Sequence, residues 1–321
     1  MTQDAGRLDL LSTLKGSLVE DFYPAGWDLK RIDACYSRPS EGLQERRSWW
    51  HPKFEPVECD TIVDCDTLLG HEIALEIARA RKEGRKLALI LPVGPVAMYR
   101  WTVYFLQEWG IPCDHVYGFN MDEWSDAEGR TISPQDPRSF QNAMQRFFYG
   151  PLGELTVPEA QRHFPTREVL PSYAEQIGSL KASGARLVLV FGIGRDCHIA
   201  FWEPHFGGEF ANDAEWKRQT HRLAAKLHPL TIEQTAILKH RSRITPVSTR
   251  ANTIGPGLFL QADRVLGAAG GTFGGGMQWQ GMTLWMTLHY GPDRWVPSSF
   301  LPTLPGRLFF VKDLALGPDC G

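Results

Sequence analysis

From Asp66 onward the apolar positions follow two alternating periods. The segment TLLGHEIALEIARARKEG (67–84) sets Leu68, Ile73, Ala74, Ile77 and Ala78 at helical spacing and stops at a glycine, which predicts a helix. KLALILPVG follows, short and almost uniformly apolar, and predicts a buried strand. HVYGFNMDE (115–123) and ARLVLVFGIG (185–194) read the same way. Between the apolar runs, AMYRWTVYFLQEWG, SFQNAMQRFFYGPL and PSYAEQIGSLKASG carry helical spacing, the last with a glycine where a C-terminal cap belongs. Strands alternating with helices predict an α/β fold: a doubly wound, mostly parallel Rossmann-like sheet with helices on both faces. Beyond this the pattern predicts a helical stretch near 219–228, a strand at DRVLGAAGG and a late strand at RLFFVKD. Residues 1–60 have no clean period and are rich in Pro, Arg and Trp, through Arg46, Arg47, Trp49 and Trp50. They read as an N-terminal extension packed on the core, with 61–321 forming a single α/β domain.

Composition narrows the partners. At 321 residues, 43% hydrophobic and 22% charged, the chain can bury a substantial core. A net charge of -3 with no uninterrupted basic stretch argues against nucleic acid. The N-terminus carries acids where a secretory signal would be basic, and no apolar run approaches the ~20 residues of a membrane span. The expectation is a cytoplasmic protein with no membrane partner. Cys35, Cys59, Cys65, Cys113, Cys197 and Cys320 are scattered without metal-ligand or CxxC spacing, so free thiols are expected. The eleven tryptophans fit packing better than a dedicated binding surface.

Ligands in open α/β sheets bind beyond the carboxyl ends of the strands. Three strand ends here carry unusual residues: Pro92-Val93-Gly94-Pro95, Asn120-Met121-Asp122-Glu123-Trp124, and Gly192 through His198. Asp196, His198 and Glu203 fall within eight positions, and a histidine flanked by carboxylates can be held in one orientation for acid/base work on a hydroxyl or ring oxygen. Asp122, partly desolvated after a strand, suits a base acting on a carbon acid next to a carbonyl. The plainer alternatives are a satisfied loop histidine with solvated acids, and an acid that caps a helix. Cys197 stands where a dinucleotide fingerprint needs its third glycine, and a second histidine at helical spacing is missing, so neither a nicotinamide nor a metal is expected. No cofactor is called for.

FNMDEW followed about seventy residues later by GIGRDCHIAFWEP resembles the glucosamine-6-phosphate deaminase family, whose patterns read FNMDEY and GxGxDGHIAFNEP. Weaker similarity runs from Asp66 to Leu266, including LPVGPVAMY in place of the family's LPTGGTP phosphate loop. The resemblance implies that Asp122 moves a proton between C2 and C1, that His198 opens the pyranose ring, and that Asp196 and Glu203 orient that histidine. Gly94, Glu123, Gly194 and Arg195 would contact substrate, with Arg222 on its phosphate. The implied substrate is a small-molecule sugar, and a homo-oligomer is compatible with the resemblance.

Departures qualify that picture. Pro95 has no N–H, and neither Val93 nor Val96 has a hydroxyl, so at least three phosphate hydrogen bonds of the family loop disappear. The family lysine that follows the late strand is replaced by GGTFGGG. Cys197 replaces a glycine and Trp202 an asparagine. The expectation is a sugar isomerase or deaminase whose substrate lacks the phosphate or holds it differently. Lactone hydrolysis, as in the related 6-phosphogluconolactonases, is opposed by MDEW and FWEP; a non-catalytic sugar-binding homologue is opposed by the retained acids and histidine.

Overall fold

The computed structural model describes residues 9–36, 42–274 and 277–316. The strands are β1 (Phe54–Cys59), β2 (Leu87–Leu91), β3 (Val116–Asn120), β4 (Asp122–Trp124), β5 (Arg162–His163), β6 (Arg186–Gly192), β7 (His221–Lys226), β8 (Arg250–Ile254), β9 (Arg264–Ala269), β10 (Thr272–Gly274), β11 (Met277–Gln278) and β12 (Gly306–Val311). The α-helices are α1 (Leu29–Tyr36), α2 (Ile62–Lys82), α3 (Ala97–Glu108), α4 (Phe140–Met144), α5 (Tyr173–Ala182), α6 (Asp213–Lys217), α7 (Pro229–His240), α8 (Pro256–Phe259) and α9 (Gly281–His289). Seven strands form one sheet in the order β1-β12-β9-β6-β2-β3-β5, every pair parallel. The fold is α/β with flanking helices. Central β2 is buried along its whole length, as a strand covered on both faces must be. Helix α2 starts earlier than its clearest periodicity, because Thr61 and Asp64 close a capping box with N–H to side-chain distances of 3.0 and 3.2 Å.

Two segments depart from the sequence expectation. HVYGFNMDE is not one strand: β3 ends at Asn120 and the chain crosses at Met121 into a separate antiparallel sheet, β4-β8-β7. Met121 bridges the two, its N–H donating to Leu91 at 3.0 Å and its carbonyl accepting from Ile254 at 2.9 Å. Residues 219–228, expected as helix, contain strand β7. Its Leu-Ala-Ala core has a helical composition, but antiparallel pairing with β8 and a bulge between Arg222 and Ala225, with Ala224 at φ 50°, override it.

The segment read as an extension supplies β1, the edge strand beside β12, while Trp27 and Trp50 are buried and donate to the carbonyls of Trp295 and Leu288 at 2.8 and 3.0 Å. At the sheet end away from the site, Arg186 and Arg264 open β6 and β9, Arg307 is the second residue of β12, and the three pair with Glu72 and Glu76 of α2. Cys35, Cys59, Cys65, Cys113 and Cys197 are buried free thiols; Cys320 lies outside the described residues. Among the described residues no helix is long and apolar enough to cross a membrane.

Candidate functional site

A crevice of about 320 Å³ opens beyond the carboxyl ends of β2, β6 and β9, and Asp122, His198, Gly94 and Gly194 all line it. The loop after β6 bends sharply enough to put Cys197 and Ala200 at φ 69° and 55°. That conformation costs a residue with a side chain about 1 kcal/mol, which explains why a glycine suits position 197 in the resembling motif.

His198 is fixed from behind. Its Nδ1 lies 2.6 Å from Asp196 Oδ1, and its backbone N–H donates to the same oxygen at 3.2 Å. With Asp196 ionised, Nδ1 carries the proton and Nε2 is left for the crevice. Thr231 Oγ1 stands among the group, 3.0 Å from His198 Nδ1, 3.1 Å from Glu203 Oε2 and 3.4 Å from Asp196 Oδ2. Burial pushes the Glu203 carboxyl well up, and the adjacent Asp196 charge pushes it further, so Glu203 holds a proton. Burial opposes ionisation of Asp196 too, but His198 and the hydrogen bond from Glu203 outweigh it and hold Asp196 low. Asp196, His198 and Glu203 offer ligand atoms within 4.8 Å of one another, a spacing that would suit a cation. The hydroxyl of Thr231, within hydrogen-bond distance of all three, ties them into one hydrogen-bonded network.

Gly194 permits that placement. A Cβ there would lie 2.2 Å from both Cε1 and Nε2 of His198, so the imidazole rests against bare backbone.

Asp122 reaches the crevice from β4. Burial, chiefly, and the neighbouring Glu123 raise its pKa to about 8, with Lys239 acting the other way. The group is therefore protonated when folded across a range where the unfolded chain is ionised. Its stabilising contribution is complete below the ordinary carboxylate range and is lost as pH rises through 8. Asp122→Asn is accordingly expected to gain stability relative to wild type by about 1.4 kcal/mol per pH unit between pH 4 and 8, levelling above. Urea denaturation of both proteins from pH 4 to 9 measures this, and a pH-independent difference would refute it.

Glu123 does not contact the crevice. Its carboxylate accepts from Ser139 Oγ at 2.8 Å and from the N–H groups of Phe140, Gln141 and Trp124 at 3.0, 2.9 and 2.9 Å. Here is the helix-capping acid, one residue from Asp122. Arg195 is also turned away, 2.7 Å from Glu233, and does not line the crevice. Arg222 is bound to Glu209 and packs 3.9 Å from the Phe206 ring centroid, likewise outside the crevice. Asp196 and Glu203 sit behind His198 rather than on the wall.

Sequence reasoning missed Thr231 and Lys239, both from α7. Lys239 lines the crevice, its ammonium 4.9 Å from the Phe140 ring centroid. The stem leaves the residue exposed, yet the protein around the mouth desolvates the ammonium and lowers its pKa against the pull of Asp122 and Glu123. HPLTIEQTAILKH held the signal: a proline at the first helical position, then Thr231, Thr235, Leu238 and Lys239 recurring on one face. Trp124, Phe140, Phe201, Phe273 and Trp279 add aromatic rings to a wall otherwise made chiefly of aliphatic residues, prolines and glycines.

No family model matches the chain. It is 28% identical over 196 residues to glucosamine-6-phosphate deaminase of Caenorhabditis elegans, covering 60% of this chain and 67% of that protein. The corresponding enzyme of Vibrio campbellii is 27% identical over 191 residues, 57% of this chain and 63% of its own length. The chain thus spans about two thirds of these relatives. A solved monomeric glucosamine-6-phosphate deaminase superposes with a TM-score of 0.65 at 20% identity, covering 81% of this chain and 98% of that one. The 6-phosphogluconolactonase of Trypanosoma cruzi gives 0.54 at 15%, covering 85% and 100%. These structural likenesses concern the fold.

Proposed function

Because the chain is a distant homologue of glucosamine-6-phosphate deaminase, we propose that its crevice opens the ring of an amino sugar or related aldose and moves a proton between C1 and C2. The observation that carries this reading is that Asp122, on β4, and His198, on the loop after β6, reach one crevice. His198, held at Nδ1 by Asp196, presents Nε2 to exchange a proton with the ring oxygen. Once the carbonyl is free, the ionised form of Asp122 takes the proton from C2 and returns it to C1 through an enol or enolamine; from an amino sugar this leaves an imine at C2, which water hydrolyses to the ketose and ammonia. A carboxyl raised to about 8 exchanges protons in the neutral range without a large driving force either way. Glu203 keeps its proton on Asp196 and preserves the orientation of the imidazole.

The substrate in this reading has no terminal phosphate gripped by the Val93–Val96 loop. Pro95 offers no N–H there, and Val96, which precedes α3, makes no side-chain cap. Lys239 is the one lysine or arginine on the described crevice wall, and a desolvated dianion held by a single ammonium would be left underbonded. Aromatic rings fit the apolar face of a sugar instead. The test is to supply phosphorylated and unphosphorylated amino sugars and measure ammonia release and ketose formation. Turnover of an unphosphorylated sugar is expected. Product from none of them would overturn the assignment, and a hundredfold preference for the 6-phosphate, about 2.7 kcal/mol, would overturn the substrate class.

A further inference from the structure

A second cavity, of about 570 Å³, lies between the N-terminal segment and α9 and shares no lining residue with the crevice. Arg31, Arg46, Arg47, Ser48, Trp49 and His289 form most of its wall. The guanidinium groups are anchored mainly by neutral acceptors. Arg46 donates to the carbonyls of His51, Pro52 and Phe54 at 3.0, 3.4 and 2.7 Å, and no carboxylate pairs with it among the described residues. Arg31 donates to the Tyr290 carbonyl and lies 4.1 Å from the Tyr290 ring centroid, with Asp293 only at 3.8 Å. Arg47 meets His289 Nδ1 at 2.8 Å and the half-exposed Glu45 at 3.2 Å. Among the described residues these three guanidinium groups meet two carboxylates, Glu45 at 3.2 Å and Asp293 at 3.8 Å.

We infer that this cavity is a binding site for a small phosphate-bearing anion. Charge-assisted bonds from planar guanidinium groups suit phosphate oxygens, and anchoring by backbone carbonyls holds the groups in place before the ligand arrives. The cavity exceeds what an inorganic ion needs and lies within the range of small-molecule pockets, so a phosphomonoester with an organic portion fits it better.

Titration calorimetry on the full chain at low ionic strength, with inorganic phosphate and with phenyl phosphate, tests the inference. Saturable binding of both is expected, tighter for phenyl phosphate. Arg47→Ala and Arg31→Gln should each weaken it at least about tenfold, or 1.4 kcal/mol. Arg31 is half exposed, so its variant is expected to fold even if removal of Arg47 disturbs the segment. Lys239→Ala, at the crevice, should leave this binding unchanged. Absence of saturable heat, or binding abolished by Lys239→Ala and retained in both arginine variants, would overturn the site without touching the proposed reaction.

Discussion

His198→Ala is expected to slow turnover of a cyclic sugar by about 10²–10⁴, the usual worth of a positioned acid or base. The fold should survive, because the imidazole packs against backbone at Gly194 and is tied chiefly to Asp196 and Thr231. Removing it leaves Asp196 without its histidine, so some loss of stability is expected, but not unfolding. The diagnostic is the step affected. If His198 serves ring opening, a substrate supplied in its open-chain form should still exchange its C2 proton with solvent deuterium through Asp122. Turnover of the cyclic substrate within tenfold of wild type, or equal loss with both forms, would remove His198 from the ring-opening role.

Gly194→Ala is expected to lower turnover by about a hundredfold without replacing any titratable group. An added methyl would lie 2.2 Å from the imidazole, far inside contact distance, so the ring must shift and its hydrogen bond to Asp196 must bend. Gly94→Ala supplies the control. A Cβ at Gly94 meets nothing within 4 Å, and its stability should match wild type. Denaturation curves alongside kinetics separate displacement of the histidine from general damage. Unchanged turnover in Gly194→Ala would show that Nε2 position does not limit the reaction.

What the sequence made legible follows from where information is local. Strands β2 and β6 are nearly continuous apolar runs because both faces are covered, and the residues just past them are then bound to stand at the crevice. That is why Gly94 and His198 could be placed from spacing alone. Glu123 could not be told from Asp122, since its role is set by Ser139, Phe140 and Gln141, sixteen to eighteen residues further on. Arg222 was assigned to substrate from a stretch whose strand character depends on β8. Lys239 and Thr231 escaped because they belong to a helix that enters the site from a remote part of the chain, although its proline at the first helical position and the recurrence of Thr231, Thr235 and Lys239 on one face were readable.

The order β1-β12-β9 also bears on how the chain acquires its shape during synthesis. Strand β12, among the last described elements, is inserted between β1, the first of the described strands to be made, and β9. Until residues 306–311 arrive, β9 has an open hydrogen-bonding edge and β1 has no neighbour in the sheet. From the completion of β9 at Ala269 until β12 is made, the nascent protein thus carries an exposed, apolar strand edge, the kind of surface that chaperones cover and that pairs with other chains. A stop codon ahead of residue 306 would therefore yield an unfinished sheet with an unpaired interior strand, even though Asp122, His198 and every described crevice-lining residue had already been translated.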